Sequence, residues 1–379
     1  MKNQSSATDP RVAIIGTAGV PAAYGGFETL ADELVQYAEA RGLSHHFTVY
    51  CSGSNESEEP SYRGARRRFI SLSANGIASI FYDMLSCIDA WWRGERTFLI
   101  LGVSGAPIIP FLRFASSVKI VTNVDGVEWK RAKWGRIASW YLRVAEWLAV
   151  RFSHDVISDN KGIKEYLDQA YGRESTVITY GGDHALRGDL VELPFELPEV
   201  FALSLCRIEP ENNVHEILSA FSRCDRLPLV FVGNWDATDY GRQLWAKYKD
   251  SPNVHLLPPI YEQNRLYSLR HRAAAYVHGH SAGGTNPSLV EMMHFGVPVL
   301  AFDCVFNRYS TEEVALYFAS SDELLSQLDA LLNDDEVSAG KHWAELGDKM
   351  KQIAQSKYVW SEVGERYFSL LAITSRGVR

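Results

Sequence analysis

Short apolar runs recur along the chain, each followed by a polar or glycine-bearing loop and then by a stretch with apolar residues at helical spacing. The first run, residues 12–15, ends on Gly16, and residues 27–40 then carry Phe27, Leu30, Leu34, Tyr37 and Ala38 at the spacing of a helix with one buried face. Further runs stand at 47–51, 68–72, 98–101, 119–124, 155–158 and 176–180, and a second series at 201–205, 229–232, 254–257, 275–277 and 297–302. Strands this apolar are covered on both faces, and strands that alternate with helices need crossovers. The pattern therefore predicts an α/β chain of parallel sheets with helices on both sides.

At 379 residues the chain exceeds one ordinary domain. Residues 186–198, rich in Leu, Glu and Pro, are the expected linker, which divides the chain into 1–186 and 187–356, two Rossmann-like domains with a ligand cleft between them. Trp360, Val363, Tyr367, Leu370 and Leu371 share a helical face, so 357–379 is expected to return as a helix to the first domain. A net charge of -8 argues against a nucleic-acid binder. The five cysteines are scattered, with no C-x-x-C pair, which suggests neither a disulfide framework nor a zinc site and fits a reducing cytoplasm. The first ten residues are polar and show no signal-peptide core. The most apolar run, 97–112, is short and broken by Gly102, Gly105, Pro107 and Pro110, so membrane association is expected to be peripheral.

Residues 282–302 hold the most chemistry. They comprise a glycine loop (Gly283, Gly284, Thr285), an N-cap (Asn286), Pro287 in the first helical turn, Ser288, and a helix that Gly296 and Pro298 stop. A helix start behind a loop without bulk offers free N–H groups to a phosphate or diphosphate. Glu291, one turn inside, is placed to accept a hydrogen bond from a sugar hydroxyl such as a ribose. The same spacing also suits a loop that only closes a Rossmann unit. Arg207, after the run at 201–205, points a permanent cation at the same region and is a second diphosphate candidate.

In the first half, the loop after residue 15 lacks both G-x-G-x-x-G and the Walker pattern, and the run at 47–51 ends without an acidic residue for a ribose. NAD and ATP chemistry are both disfavoured. Gly25 and Gly26 allow the backbone to approach a bulky ligand. Asp125 leaves the end of the run at 119–124, where open α/β sheets place ligands, although Asp125-Gly126 is also a plain turn signal. Beyond it, Ile137, Trp140, Tyr141, Val144 and Leu148 share a face, with Arg136, Arg143 and Arg151 elsewhere on the helix. That stripe is either core or a membrane-surface face, and Arg63, Arg66, Arg67 and Arg68 form a second basic cluster with the same two readings.

Taken together, residues 16–29, 123–134, 158–163, 206–213 and 278–288 resemble bacterial rhamnosyltransferases of surface-polysaccharide assembly, within the large retaining GT-B glycosyltransferase family that uses nucleotide sugars. The resemblance spans most of the chain. It implies that Gly25 and Gly26 lie near the donor phosphates and acceptor, with Tyr24, Glu128, Trp129 and Lys130 on the acceptor side. It also implies that Arg207 contacts the diphosphate, that Glu291 is the final glutamate of E-x7-E and holds the ribose, and that Asp125 stands near the reacting sugar. The first glutamate of E-x7-E falls on Gly283, and the usual lysine falls on Asn212 or Asn213. Sugar recognition is then expected from the backbone of 283–286 and from His280.

No D-x-D triad occurs, so no metal or other cofactor is expected. The implied reaction moves L-rhamnose from dTDP-β-L-rhamnose to a lipid-diphosphate-linked sugar, for example undecaprenyl-diphosphate glucose, on an anionic membrane at the cytoplasmic face. The alternatives are a UDP- or GDP-hexose donor, a nucleotide-sugar epimerase on the same fold, or an inactive scaffold of a polysaccharide assembly complex.

Overall fold

The computed structural model describes residues 11–22, 25–53, 59–131, 134–333 and 336–373, without the side chains of 333 and 336–340. The chain forms two compact units. One takes residues up to Asp159, Ile163–Ile178 and those from Ser361 onward; the other takes Asn160–Gly162 and Thr179–Trp360.

The first unit holds an eight-stranded sheet of β1 (Val12–Ile15), β2 (Phe47–Ser52), β3 (Ser61–Tyr62), β4 (Ala65–Ile70), β5 (Thr97–Leu101), β6 (Lys119–Val124), β7 (Asp155–Ser158) and β8 (Thr176–Val177), in the order β3-β4-β2-β1-β5-β6-β7-β8. All pairings are parallel except β3 with β4. β1 is central, with Val12 opposite Phe47 on one side and Thr97 on the other. Its four residues are wholly buried, which is why the run reads as continuous rather than alternating.

The second unit holds six parallel strands: β9 (Ala202–Leu205), β10 (Leu229–Val232), β11 (Val254–Leu257), β12 (Ala275–His278), β13 (Val299–Phe302) and β14 (Leu316–Phe318), in the order β11-β10-β9-β12-β13-β14. In both sheets the direction of winding reverses beside the first strand, between β1 and β5 and between β9 and β12. Loops at the carboxyl ends of such strand pairs diverge and leave a crevice for ligands.

Three sequence readings change, and one left open is decided. The junction expected at 186/187 falls at 178/179, because the turn Asp183–Leu186 is packed into the second unit, where the Gly182 N–H donates to Tyr358 O and His184 meets Glu291. The return expected at 357 falls at 360/361, where Trp360 bonds Asp183 and His184 within the second unit. From Ser361 the helix Trp360–Leu371 belongs to the first unit, with Tyr367 OH accepting from Asn123 Nδ2 at 2.7 Å and Phe368 set edge-on to Tyr37 at 4.9 Å.

The strand expected at 68–72 starts earlier, at Ala65, and holds Arg66, Arg67 and Arg68 of the basic cluster, while Arg63 stands in the turn before it. Three of the cluster's four cations are compensated: Arg63 pairs with Glu39 at 2.6 Å, Arg66 with Glu95 at 3.6 Å and Arg68 with Asp89 at 3.0 Å. Last, the helix Arg136–Phe152 buries Leu142, Ala145, Glu146, Ala149 and Val150, so the face bearing Ile137, Trp140 and Val144 is the exposed one.

Candidate functional site

In the second unit the loops after β9 and β12 are tied into one block. Asn212 Nδ2 donates to Arg207 O at 2.7 Å, Asn213 Nδ2 to Gly279 O at 2.9 Å, and Ser281 donates to Glu211 O from both N and Oγ, at 3.0 and 2.8 Å. A Cβ on Gly279 would lie 2.1 Å from Asn212 O, so only glycine permits this approach. The two asparagines at the lysine position of the resemblance therefore spend their side chains on the backbone. Arg207 is held at the head of the block with its side chain 47% exposed and its nearest carboxylate, Glu209, 3.9 Å away. That leaves a cation fixed at its root and available at its tip.

The glycine loop follows on the same edge. Gly283 has φ +99 and open space where a Cβ would stand, while Gly284 and Thr285 are buried. Asn286 is the N-cap of the helix Pro287–Met293 and its side chain makes no capping bond; its carbonyl oxygen instead accepts from Ser288 Oγ at 2.9 Å. Tyr276 OH donates to the same Ser288 Oγ at 3.1 Å, which fixes the loop to the end of β12. His280 lies against buried His278 with ring centroids 4.4 Å apart and planes 14° from parallel. Burial lowers the His278 pKa to about 3, so this ring is neutral.

Glu291 is 9% exposed. One carboxylate oxygen takes a charged hydrogen bond from Arg270, on the helix Gln263–Arg272, and the other is 3.2 Å from His184 Nε2. Burial alone would raise its pKa, but the Arg270 charge and His184 outweigh that and hold the carboxyl below its ordinary value. A carboxylate offers about four acceptor positions, so two partners leave acceptor capacity for a sugar hydroxyl. Arg270 and His184 carry no sequence signal. Arg270 sits in the polar run Arg270-His271-Arg272, which looks like a solvated helix end.

In the first unit, Gly25 and Gly26 follow β1, and Asp125, Glu128, Trp129 and Lys130 follow β6, so both groups leave the carboxyl edge of one sheet. Tyr24 lies outside the described residues. Gly25 has φ +123, and a Cβ there would fall 2.0 Å from Glu28 Oε2. The other Glu28 oxygen accepts from Ala18 N at 2.8 Å and Thr17 Oγ1 at 3.3 Å, so the glycine also serves its own loop. Asp125 is half-buried at the end of β6. Glu128 is engaged by Arg131 and by Trp134 Nε1, each at 3.0 Å, while Lys130 is exposed and lies over the Trp129 and Tyr166 rings.

Trp129 is anchored through its indole N–H, 3.3 Å from Glu146 Oε1 and 3.2 Å from Tyr166 OH. Glu146 accepts from Tyr166 and Tyr171 as well, each at 2.5 Å. Burial raises the Glu146 pKa despite these donors. This buried carboxylate, which holds the loop after β6, stands within an apolar-looking helix and is not visible as a site residue in the sequence.

Residues 191–354 match the family described as glycosyl transferases group 1, and residues 10–183 match a domain of unknown function, DUF1972. No match was found among curated proteins. Sucrose-phosphate synthase from Thermosynechococcus elongatus superposes with a TM-score of 0.79 at 16% identity, over 96% of this chain and 100% of that one. Anabaena HepE in complex with UDP-glucose gives 0.70 at 14% identity, covering 96% and 100%. The catalytic domain of starch synthase IV from Arabidopsis thaliana, bound to ADP and acarbose, gives 0.67 at 12% identity, covering 98% and 100%. At these identities the likeness is one of fold.

Proposed function

We propose that this chain, whose fold is GT-B, is a glycosyltransferase that transfers L-rhamnose from dTDP-β-L-rhamnose, with retention, to a lipid-diphosphate-linked sugar. The observation that carries the reading is the braced edge of the second unit, where Arg207, the open glycine loop and ionised Glu291 supply the three things a nucleoside diphosphate needs. Arg207 and the backbone from Gly283 to Ser288 receive the diphosphate, Glu291 takes a sugar hydroxyl of the nucleoside, and His280 lies beside the transferred sugar.

In the reaction the bond between the sugar anomeric carbon and the phosphate oxygen breaks, and the electron pair leaves with dTDP. The acceptor oxygen bonds the same face of that carbon, and its proton passes to the departing phosphate. Asp125 orients the acceptor, and Glu128, Trp129 and Lys130, with Gly25 and Gly26, shape the first unit's part. The rhamnose assignment rests on the resemblance of the loop motifs. A UDP-hexose donor is the second reading, favoured by the fold shared with a protein solved with UDP-glucose.

For the acceptor we infer a membrane setting. Ten of the seventeen exposed large apolar side chains among the described residues lie in or beside three helices of the first unit, Ala78–Trp92, Ile109–Ala115 and Arg136–Phe152. Among them Trp92 is 81%, Phe114 79% and Trp140 67% exposed. The helices adjoin, with Trp91 edge-on to Phe111 and Phe114 edge-on to Phe152, each at 5.9 Å. An apolar face of this extent on one side is suited to the interface of a bilayer. Among the described residues no helix is long and apolar enough to cross one.

The test is transfer from radiolabelled dTDP-rhamnose, UDP-glucose and GDP-mannose to a membrane extract containing lipid-linked saccharide. Label in the lipid fraction from dTDP-rhamnose is the expected result. Label from UDP-glucose alone overturns the donor, and label from none of the three overturns the catalytic reading.

A further inference from the structure

At the far end of that exposed face lies a cavity of about 380 Å³ lined by Arg113, Arg151, Arg173, His154, Phe114 and Phe152. It stands where two helices end, Ile109–Ala115 and Arg136–Phe152, beside the starts of β6 and β7. This is the amino edge of the sheet, opposite the loops that hold Asp125 and Gly25. Cations in the last turn of a helix are favoured by its dipole, which accounts for one guanidinium at each helix end. It does not account for their convergence with a third around a cavity.

Neither Arg113 nor Arg151 has an ion-pair partner among the described residues, and the nearby Asp155 is taken by Lys119 at 2.9 Å. Arg173 is fixed by two bonds from Nη2, to Ser153 O at 3.0 Å and His154 O at 2.8 Å, and its buried Nε has no partner among the described residues. His154 Nδ1 accepts from Ile120 N at 3.0 Å, so the neutral ring carries its proton on Nε2 and can donate. Burial, and after it the charge of Arg113, lowers the His154 pKa, with Arg173 and Lys119 acting in the same direction and Asp155 opposing. The cavity is thus a region of positive potential with several donors and no free carboxylate among its lining residues.

Its rim is aromatic. Phe114 is 79% exposed and Trp147 47%, and both stand edge-on to Phe152 at 5.9 Å. An anionic pocket-filler flanked by an apolar shelf on the same surface is an amphiphile. We propose that this cavity binds the phosphate headgroup of an anionic phospholipid, with the acyl chains lying along Phe114, Trp147 and the exposed helix face. The inference rests on the membrane setting proposed above and names the lipid chemistry that sets it.

The experiment compares flotation of the full chain with vesicles of phosphatidylcholine alone and of phosphatidylcholine mixed with phosphatidylglycerol. The variants are Arg113→Gln/Arg151→Gln and, separately, Trp140→Ser/Trp147→Ser, with thermal unfolding as a control for folding. Wild type is expected on the mixed vesicles. The double arginine variant, with an unchanged melting temperature, should partition about 30-fold more weakly, as expected for two juxtamembrane cations. Equal partitioning of wild type and the arginine variant, with loss only in the tryptophan variant, overturns the headgroup site and leaves the membrane reading standing. Absence of wild type from both vesicle types overturns both. Stabilisation by inorganic phosphate that the arginine variant loses, with no preference for the mixed vesicles, overturns the lipid assignment in favour of a soluble anion.

Discussion

Replacing Glu291 by Gln removes a charge from the second unit while keeping its volume. The Arg270 side chain is 7% exposed and that of Glu291 11%, so the variant leaves a guanidinium buried without its counter-charge. Breaking one half of such a pair costs about 3–5 kcal/mol. For a unit of this size each kcal/mol moves the melting temperature by about 2–4 °C, which gives a drop on the order of 10 °C. Arg270→Met should cost a similar amount.

The double variant, Glu291→Gln with Arg270→Met, has no orphaned charge and should recover most of the loss. Nucleotide affinity separates the two roles of the carboxylate. A charged hydrogen bond to the nucleoside sugar contributes about 1.5–3 kcal/mol, so calorimetric titration should show Kd at least tenfold weaker in both variants that lack Glu291, even where stability has returned. The loss should be larger with UDP than with dTDP, because a deoxyribose lacks one of the two hydroxyls a ribose offers. A double variant that binds either nucleotide like wild type would show that Glu291 only braces the fold.

Other perturbations follow from the same geometry. Gly279→Ala places a methyl 2.1 Å from Asn212 O; forcing that block apart should cost about 1–3 kcal/mol in urea unfolding and weaken UDP binding, whereas unchanged unfolding contradicts the bracing. Glu146→Gln should release Trp129, measured as a red-shifted tryptophan emission and a raised KM for the acceptor with little change in that for the donor. Asp83 is held by Ser104, and burial raises its pKa to about 7. The folded state then binds this proton more tightly than the unfolded one, so its contribution is fully present below pH 3.8 and is lost as pH rises toward 7. The melting-temperature advantage of Asp83→Asn over wild type should therefore grow across that window, and a constant gap argues against the raised pKa.

The sheets were legible because parallel strands buried on both faces leave short apolar runs such as 12–15 and 229–232, and these alternate with stretches at helical spacing. The stop and start signals of the helix Pro287–Met293 were equally plain, since Asn286, Pro287 and Gly296 each have one local role. Strand β14 was missed because it is three residues long and follows two residues with positive φ, Glu312 and Glu313. The arginine-rich β4 was displaced for a different reason. Its charge pattern says surface, and the carboxylates that meet its arginines, Glu95 and Asp89, are distant in sequence.

In the candidate site, spacing located the loops but not their supports. Arg270, His184 and Glu146 reach Glu291 and Trp129 through tertiary structure, which leaves no period or motif to read. The amphipathic helix Arg136–Phe152 shows the limit most clearly. Its one apolar stripe reads equally as core or as surface, and the face that is in fact buried turns on small residues, Ala145 and Ala149.

The return of the last helix to the first unit has a consequence for synthesis. Asn123 bonds Tyr367, 244 residues further along, and Tyr37 waits for Phe368 from the same helix. The second unit, contained between Thr179 and Trp360 apart from three residues, leaves the ribosome with nearly all its parts while the first still lacks its closing piece. The half made first is thus the half finished last, and a chain stalled before residue 361 would present the translation machinery with a complete second unit tethered to an open sheet.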